Sequence, residues 1–135
     1  MIRIVYGSKG SGKTKRMIAM ANDAVHTAKG TVVFIARDSS YMYSLNRGIR
    51  FTDASEYGLD GRAMFMGFVS GIASQDFDLE TLYIDGFVSL IGEKPGASKN
   101  VLDYLEKLSE KHCFDIVLSM SSDEPAPDFI QELII

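Results

Sequence analysis

Eight consecutive residues near the start of the chain have the types and the spacing of a loop that binds phosphate. Residues 7–14 read G-S-K-G-S-G-K-T, which matches the pattern G-x-x-x-x-G-K-[ST] without gaps. The glycines allow the backbone to curl with its N–H groups toward phosphate oxygens. Lys13 places a compact positive charge within reach of the β- and γ-phosphates, and the Thr14 hydroxyl can ligate Mg²⁺. The candidate binding residues here are Gly7, Ser8, Lys9, Gly10, Ser11, Gly12, Lys13, Thr14 and Lys15.

The elements on either side of this loop are those that phosphate binding requires. Residues 2–6 predict a buried strand, and residues 13–28 predict a helix whose N-terminus faces the anion. Lys9 is expected to assist at the phosphates, whereas Lys15 and Arg16 are expected to be largely solvated. This strand, loop and helix resemble the Walker A region of the P-loop NTPase superfamily, and the resemblance covers most of the chain. It implies that the chain binds a nucleoside triphosphate, with ATP and Mg²⁺ as cofactors.

The same resemblance implies a second motif, a buried strand ending in an acid that touches the Mg²⁺ shell. Residues 81–85 (TLYID) look like this Walker B strand. The resemblance therefore makes Asp85 a second metal ligand beside Thr14, and it gives Lys13 and Asp85 the catalytic roles. The alternative is that Asp85 only caps a turn with Gly86.

A third segment resembles the RecA-like branch of the superfamily. In that branch a strand lies between the P-loop and Walker B strands and ends in a polar residue near the γ-phosphate. Residues 114–122 (FDIVLSMSS) offer Ser119 or Ser121 for this position, although both are also ordinary residues for a strand end. We take Ser119 as the candidate nucleotide contact. The resemblance predicts the sheet order 2–6, 114–119, 81–85, 31–36, with 49–53 at or near the far edge.

One position departs from the RecA-like pattern. These ATPases usually carry a glutamate that activates water directly after the Walker B aspartate, and here that position is Gly86. Glu93 is the nearest acid downstream, and nothing in the sequence places it at the γ-phosphate. The sequence therefore predicts a weak or partner-dependent ATPase, with a non-hydrolysing nucleotide-dependent switch or scaffold as the alternative.

Other P-loop classes match less well. Val88 stands where the GTPase pattern D-x-x-G requires glycine, and no N-K-x-D motif occurs. A nucleoside or small-molecule kinase remains a further alternative, but the acid pair that follows the third strand of thymidine kinases is absent. Direct pairing of strand 2–6 with strand 81–85 would favour the kinase–GTPase branch.

Composition restricts the setting of this chemistry. The chain has 135 residues, of which 46% are hydrophobic and 24% charged, so one globular domain over residues 1–135 is expected. The net charge of −4 makes nucleic acid an improbable partner.

A single cysteine, Cys113, fits a reducing compartment, and no apolar run approaches the ~18 residues of a membrane span. A strand beginning at Ile2 leaves no room for a secretory signal, so the cytoplasm is expected. A protein partner or self-association is compatible with this composition.

Strands and helices are predicted to alternate along the whole chain. Apolar runs predict strands over 2–6, 31–36, 81–85 and 114–119, with a shorter one over 49–53. Helical spacing predicts helices over 13–28 and 61–75, and a further one after Ser98. This order predicts an α/β fold, a three-layer α/β/α sandwich around a mainly parallel sheet.

Several other residues carry weaker expectations. The arginines Arg37, Arg47, Arg50 and Arg62 are candidate arginine fingers in principle, but each is expected to be an ordinary surface residue. Asp76, Asp78 and Glu80 are expected to form a solvated acidic turn. Gly67 and Gly71 each cost about 1 kcal/mol relative to alanine inside a helix. Close packing of that helix on the sheet would explain both glycines.

Overall fold

Five strands and five helices follow one another along the 135 residues that the computed structural model describes. The strands are β1 (Ile2–Gly7), β2 (Thr31–Ala36), β3 (Ile49–Asp53), β4 (Leu79–Ile84) and β5 (Asp115–Ser121). The helices are α1 (Lys13–Thr27), α2 (Gly61–Gln75), α3 (Phe87–Ile91), α4 (Lys99–His112) and α5 (Asp128–Gln131). Single 3₁₀ turns occur at Met42–Ser44, Ala54–Tyr57 and Pro95–Ala97. None of the helices combines the length and the apolar character needed to cross a membrane.

The five strands form one parallel sheet in the order β1-β5-β4-β2-β3. This is the predicted order, with the 49–53 strand at the far edge. β5 lies between β1 and β4, so the two strands that carry the main motifs do not pair directly. The predicted α/β class with a parallel sheet is confirmed.

Helices cover both faces of the sheet, as the handedness of parallel connections requires. The chain moves from β1 to β2 through α1 on one face, and it returns from β3 to β4 and β5 through α2 and α4 on the other. A right-handed crossover must change face when its direction along the sheet reverses. Alternate strand residues therefore enter two cores: Ile4 packs in the core with α2 and α4, and Val5 packs in the core with α1.

This topology brings the ends of all five strands to one edge. In a parallel sheet every carboxyl end lies on the same side, which is where ligands bind in open α/β sheets. The 7–14 loop follows β1, Asp85 follows β4, and Ser119 lies near the end of β5. Asp85 stands one residue beyond the last residue of β4, but its N–H still donates to the Ile35 carbonyl at 2.9 Å.

The expected close packing at Gly67 and Gly71 is wrong. A Cβ added at either glycine would meet no atom within 4 Å, and both residues are exposed. They instead border a cavity of about 470 Å³ between α2 and the strands β2 and β3. The close approach occurs at Gly30, where a Cβ would collide with the backbone carbonyl of Asp78.

In the acidic turn Asp78 and Glu80 are exposed, as expected, but Asp76 is not. The Asp76 side chain is only 13% exposed, and one of its carboxylate oxygens lies 4.0 Å from Arg50. The Glu80 carboxylate accepts hydrogen bonds from the N–H groups of Lys29 and Gly30, at 3.2 and 3.4 Å. Glu80 of β4 thus holds the turn that precedes β2.

We expect Gly67→Ala to stabilise the protein by about 0.5–1 kcal/mol, because alanine is the better helix former and the added methyl meets no atom. Equilibrium urea unfolding measures this difference. Gly30→Ala is the matched control and should destabilise the protein, since its methyl has no space. A destabilised Gly67→Ala would restore the close-packing explanation.

Candidate functional site

The 7–14 loop has the backbone shape that its glycines were expected to allow. Gly10 and Gly12 have φ values of 81° and 88°, in the left-handed region that residues with a side chain rarely adopt. A Cβ at Gly7 would lie 2.8 Å from the Ser11 hydroxyl oxygen, so this glycine lets the loop close over the end of β1. The loop therefore depends on glycine at three positions.

Helix α1 presents free N–H groups at the end of this loop. Its first hydrogen bond runs from the Arg16 N–H to the Gly12 carbonyl, at 3.1 Å. The N–H groups of Lys13, Thr14 and Lys15 precede that bond and have no acceptor in the protein. Unpaired donors together with the positive end of the helix dipole form a site for an anion.

The Lys13 side chain lies across the loop. Its ammonium group donates to the Ser8 carbonyl at 2.7 Å and lies 3.5 Å from the Ser11 hydroxyl. Burial lowers the pKa of Lys13, and the negative charge of Asp85 acts in the opposite direction. An anion bound at the loop would favour the charged ammonium group in the same way as Asp85 does.

A chain of hydrogen bonds joins α1, β4 and β5. The Thr14 hydroxyl donates to one carboxylate oxygen of Asp85 at 3.0 Å, and the Ser119 hydroxyl donates to the other at 2.8 Å. The Ser119 oxygen in turn accepts the Gly86 N–H at 2.9 Å. Both carboxylate oxygens thus have fixed directions. The structure brings Thr14, Asp85 and Ser119 together across more than 100 residues of sequence.

These residues line a cavity of about 480 Å³ at the carboxyl edge of the sheet. Its size lies within the ~300–1,000 Å³ typical of small-molecule sites. The lining contains four basic side chains, Lys9, Lys13, Lys15 and Arg37, and a single carboxylate, Asp85. Since the whole chain has a net charge of −4, this excess of positive charge is a local property of the cavity.

Some of the remaining candidates line the cavity and some do not. Lys9 and Lys15 are exposed residues at its rim, and Ser121 also lines it. Gly7, Ser8 and Ser11 are not among the lining residues. Arg16 is exposed, but its guanidinium donates to the Ile135 carbonyl at 2.9 Å, so it also ties α1 to the end of the chain.

Arg37 is exposed, as expected, and it is one of the four arginines that the sequence offered as candidate arginine fingers. It follows β2 directly, at the same sheet edge as Asp85, and it lines the cavity. Pairing of β2 with β4 is what distinguishes it from Arg47, Arg50 and Arg62, none of which lines this cavity.

Glu93 does not reach the cavity. It lines a neighbouring space of about 360 Å³ and forms an ion pair with Arg62 of α2, so Arg62 is not a free surface residue. At the position expected for a water-activating acid, Gly86 has a φ of 77°. A Cβ there would lie 2.8 Å from the Cδ of Arg37. A larger residue at 86 would therefore be strained and would displace Arg37.

Comparison with known proteins supports the fold and adds no family. No protein-family model matches the sequence, and no curated protein matches it. Among solved structures, the flagellar accessory protein FlaH from Methanocaldococcus jannaschii is similar, with a TM-score of 0.65 and 12% sequence identity. The match covers 97% of this chain and 65% of FlaH, so the chain spans less than two thirds of that structure. At this identity the likeness shows the RecA-like fold alone.

Proposed function

We propose that this protein binds a nucleoside triphosphate together with Mg²⁺, with ATP as the nucleotide, and that it belongs to the P-loop NTPases. The observation that carries the proposal is the 3.0 Å contact between Thr14 and Asp85 inside a basic cavity. These two residues come from separate motifs, and chance matches to either motif would not place them in contact. The fold it shares with FlaH agrees with nucleotide binding.

The proposed roles follow from the type and position of each group. The N–H groups of the 7–14 loop and of the first turn of α1 would hold the phosphates. Lys13 would leave its contact with the Ser8 carbonyl for the β- and γ-phosphates, where it gains a charged partner. Ser119 orients Asp85 and lies close enough to the cavity to be a candidate phosphate contact as well.

The donor set suits Mg²⁺. This ion prefers oxygen ligands, keeps several waters, and commonly uses one or two protein groups together with substrate phosphates. The Thr14 hydroxyl and the Asp85 carboxylate offer such a pair, already 3.0 Å apart. The structure contains no cluster of three or more His, Cys, Asp or Glu residues that could hold a metal. Phosphate oxygens and water would therefore complete the coordination, which makes metal and nucleotide binding interdependent.

The site is better equipped to bind ATP than to hydrolyse it. Asp85 is the only carboxylate of the cavity, and both its oxygens are engaged by hydroxyl groups. We therefore infer a protein that holds Mg-ATP and turns it over slowly or with a partner's help. The second candidate, a switch or scaffold that does not hydrolyse ATP, is favoured by the same observation.

Isothermal titration of the purified protein with ATP tests the proposal, in the presence of Mg²⁺ and of EDTA. We expect Mg²⁺ to strengthen ATP binding in the wild type. In Asp85→Asn the gain in ATP affinity that Mg²⁺ gives should be smaller by about tenfold to a hundredfold, since the variant replaces a charged oxygen ligand by a neutral amide. Asp23→Asn on the exposed face of α1 is the matched control. Absence of ATP binding by the wild type at millimolar concentration would refute the function.

A further inference from the structure

Arg37 lines the cavity and also a smaller neighbouring space of about 220 Å³, and its guanidinium group forms no ion pair. The residue is exposed. Its recorded polar contact is a long one, from Nη1 to the Ser89 hydroxyl at 3.4 Å. A guanidinium carries five N–H donors in a planar fork, so most of its hydrogen-bonding capacity is free.

The stem of Arg37 is held over the backbone beside the proposed metal site. A Cβ built on Gly86 would lie 2.8 Å from Cδ, 3.0 Å from Cγ and 3.1 Å from Nε of Arg37. The Arg37 side chain thus crosses directly over Gly86. Any other residue at position 86 would place its Cβ in the space that Arg37 occupies. Gly86 follows Asp85 in sequence, so the Arg37 stem lies beside the proposed metal ligand, on the β2 side of it.

The order of groups along the sheet edge indicates which phosphate Arg37 would meet. From the 7–14 loop at β1, the edge passes Ser119 on β5, then Asp85 after β4, then Arg37 after β2. Thr14 and Asp85 would hold Mg²⁺ together with phosphate oxygens, between the loop and Arg37. A cation on the side of that pair away from the loop would be placed to meet the terminal phosphate.

We propose that Arg37 binds the terminal phosphate within the same chain and thereby selects the nucleoside triphosphate over the diphosphate. This inference rests on the proposed function and names the residue that distinguishes the two ligands. Lys13 and the loop N–H groups contact phosphates that both nucleotides share. Arg37 gains its partner only when the third phosphate is present, and it exchanges a long contact with Ser89 for a charge-assisted one.

Titration of the wild type and four variants with Mg-ADP and with a non-hydrolysable Mg-ATP analogue tests this assignment. We expect Arg37→Ala to weaken binding of the analogue by about tenfold to a hundredfold and to leave Mg-ADP affinity within about threefold of the wild type. Arg37→Lys keeps the charge but loses the planar fork, so it should fall between the wild type and Arg37→Ala. Arg47→Ala removes an exposed arginine outside the cavity and should change neither affinity.

The outcomes separate this inference from the function on which it rests. Equal loss of both affinities in Arg37→Ala, or no loss of either, would overturn the role of Arg37. If Lys13→Ala still weakened both ligands in that case, nucleotide binding would stand. Failure of the wild type to bind either nucleotide would overturn both proposals. Far-UV circular dichroism of each variant, compared with the wild type, shows that the fold is intact.

Discussion

We expect Lys13→Ala to reduce the affinity for Mg-ATP by about tenfold to more than a hundredfold. The variant removes one charge-assisted contact to the phosphates, worth about 1.5–3 kcal/mol. The effect should be large because the ammonium group is partly desolvated, and burial already lowers its pKa in the protein. Isothermal titration at fixed Mg²⁺ and constant ionic strength measures it, since salt also screens phosphate binding.

The control for this variant is Lys107→Ala, which removes an exposed lysine of α4 far from the loop in sequence. This control tests whether removal of one positive charge elsewhere in the protein lowers the affinity for Mg-ATP by the same factor. Lys15→Ala is informative for a different reason, because Lys15 lies at the rim and its backbone N–H alone can serve the phosphates. Equal ATP affinities of wild type and Lys13→Ala would contradict the assignment of the loop.

We expect the purified protein to hydrolyse ATP with a turnover well below ~1 s⁻¹, against a median enzyme near ~10 s⁻¹. The 7–14 loop and Mg²⁺ can stabilise charge on the phosphates, but the one carboxylate of the cavity, Asp85, is engaged by Thr14 and Ser119 and is the proposed metal ligand, so no acid is left to orient or deprotonate water. A general base is commonly worth about 10²–10⁴-fold in rate. Gly86 cannot be replaced by glutamate without displacing Arg37, and Glu93 is paired with Arg62 elsewhere.

Steady-state phosphate release by the pure protein tests this expectation, with Lys13→Ala as the background control. Adding cell extract tests for a partner, because an arginine donated in trans contributes about 10³–10⁵-fold in other P-loop systems. Ordinary enzyme rates from the pure protein, abolished in Lys13→Ala, would contradict slow hydrolysis. Another residue would then supply the base, and Glu93, Asp38 and Asp123 would be the first to replace.

The order of the strands in the sheet could be predicted from the motifs, but not from the strands' own residues. Four of the five strands were visible as apolar runs, because a strand buried on both faces needs apolar residues throughout, whereas the edge strand β3 carries Arg50 and Asp53. The order β1-β5-β4-β2-β3 did not come from those runs, which are nearly interchangeable. It came from the likeness of residues 7–14, 81–85 and 114–122 to RecA-like proteins. The short helix α3 directly after Gly86 was missed, since five residues are too few for a helical pattern to be read.

The sequence alone determined the local chemistry of this protein. Glycines, a lysine and a threonine at fixed spacing predict a loop of the observed shape with a lysine across it, because backbone freedom and charge are properties of the residues themselves. Tertiary structure decided which residues distant in sequence contact one another. Gly67 borders a cavity and Gly30 meets a carbonyl, although both are single glycines in sequence. Arg37 crosses Gly86 because β2 pairs with β4, and contacts between strands 40 or more residues apart depend on packing that no local pattern records.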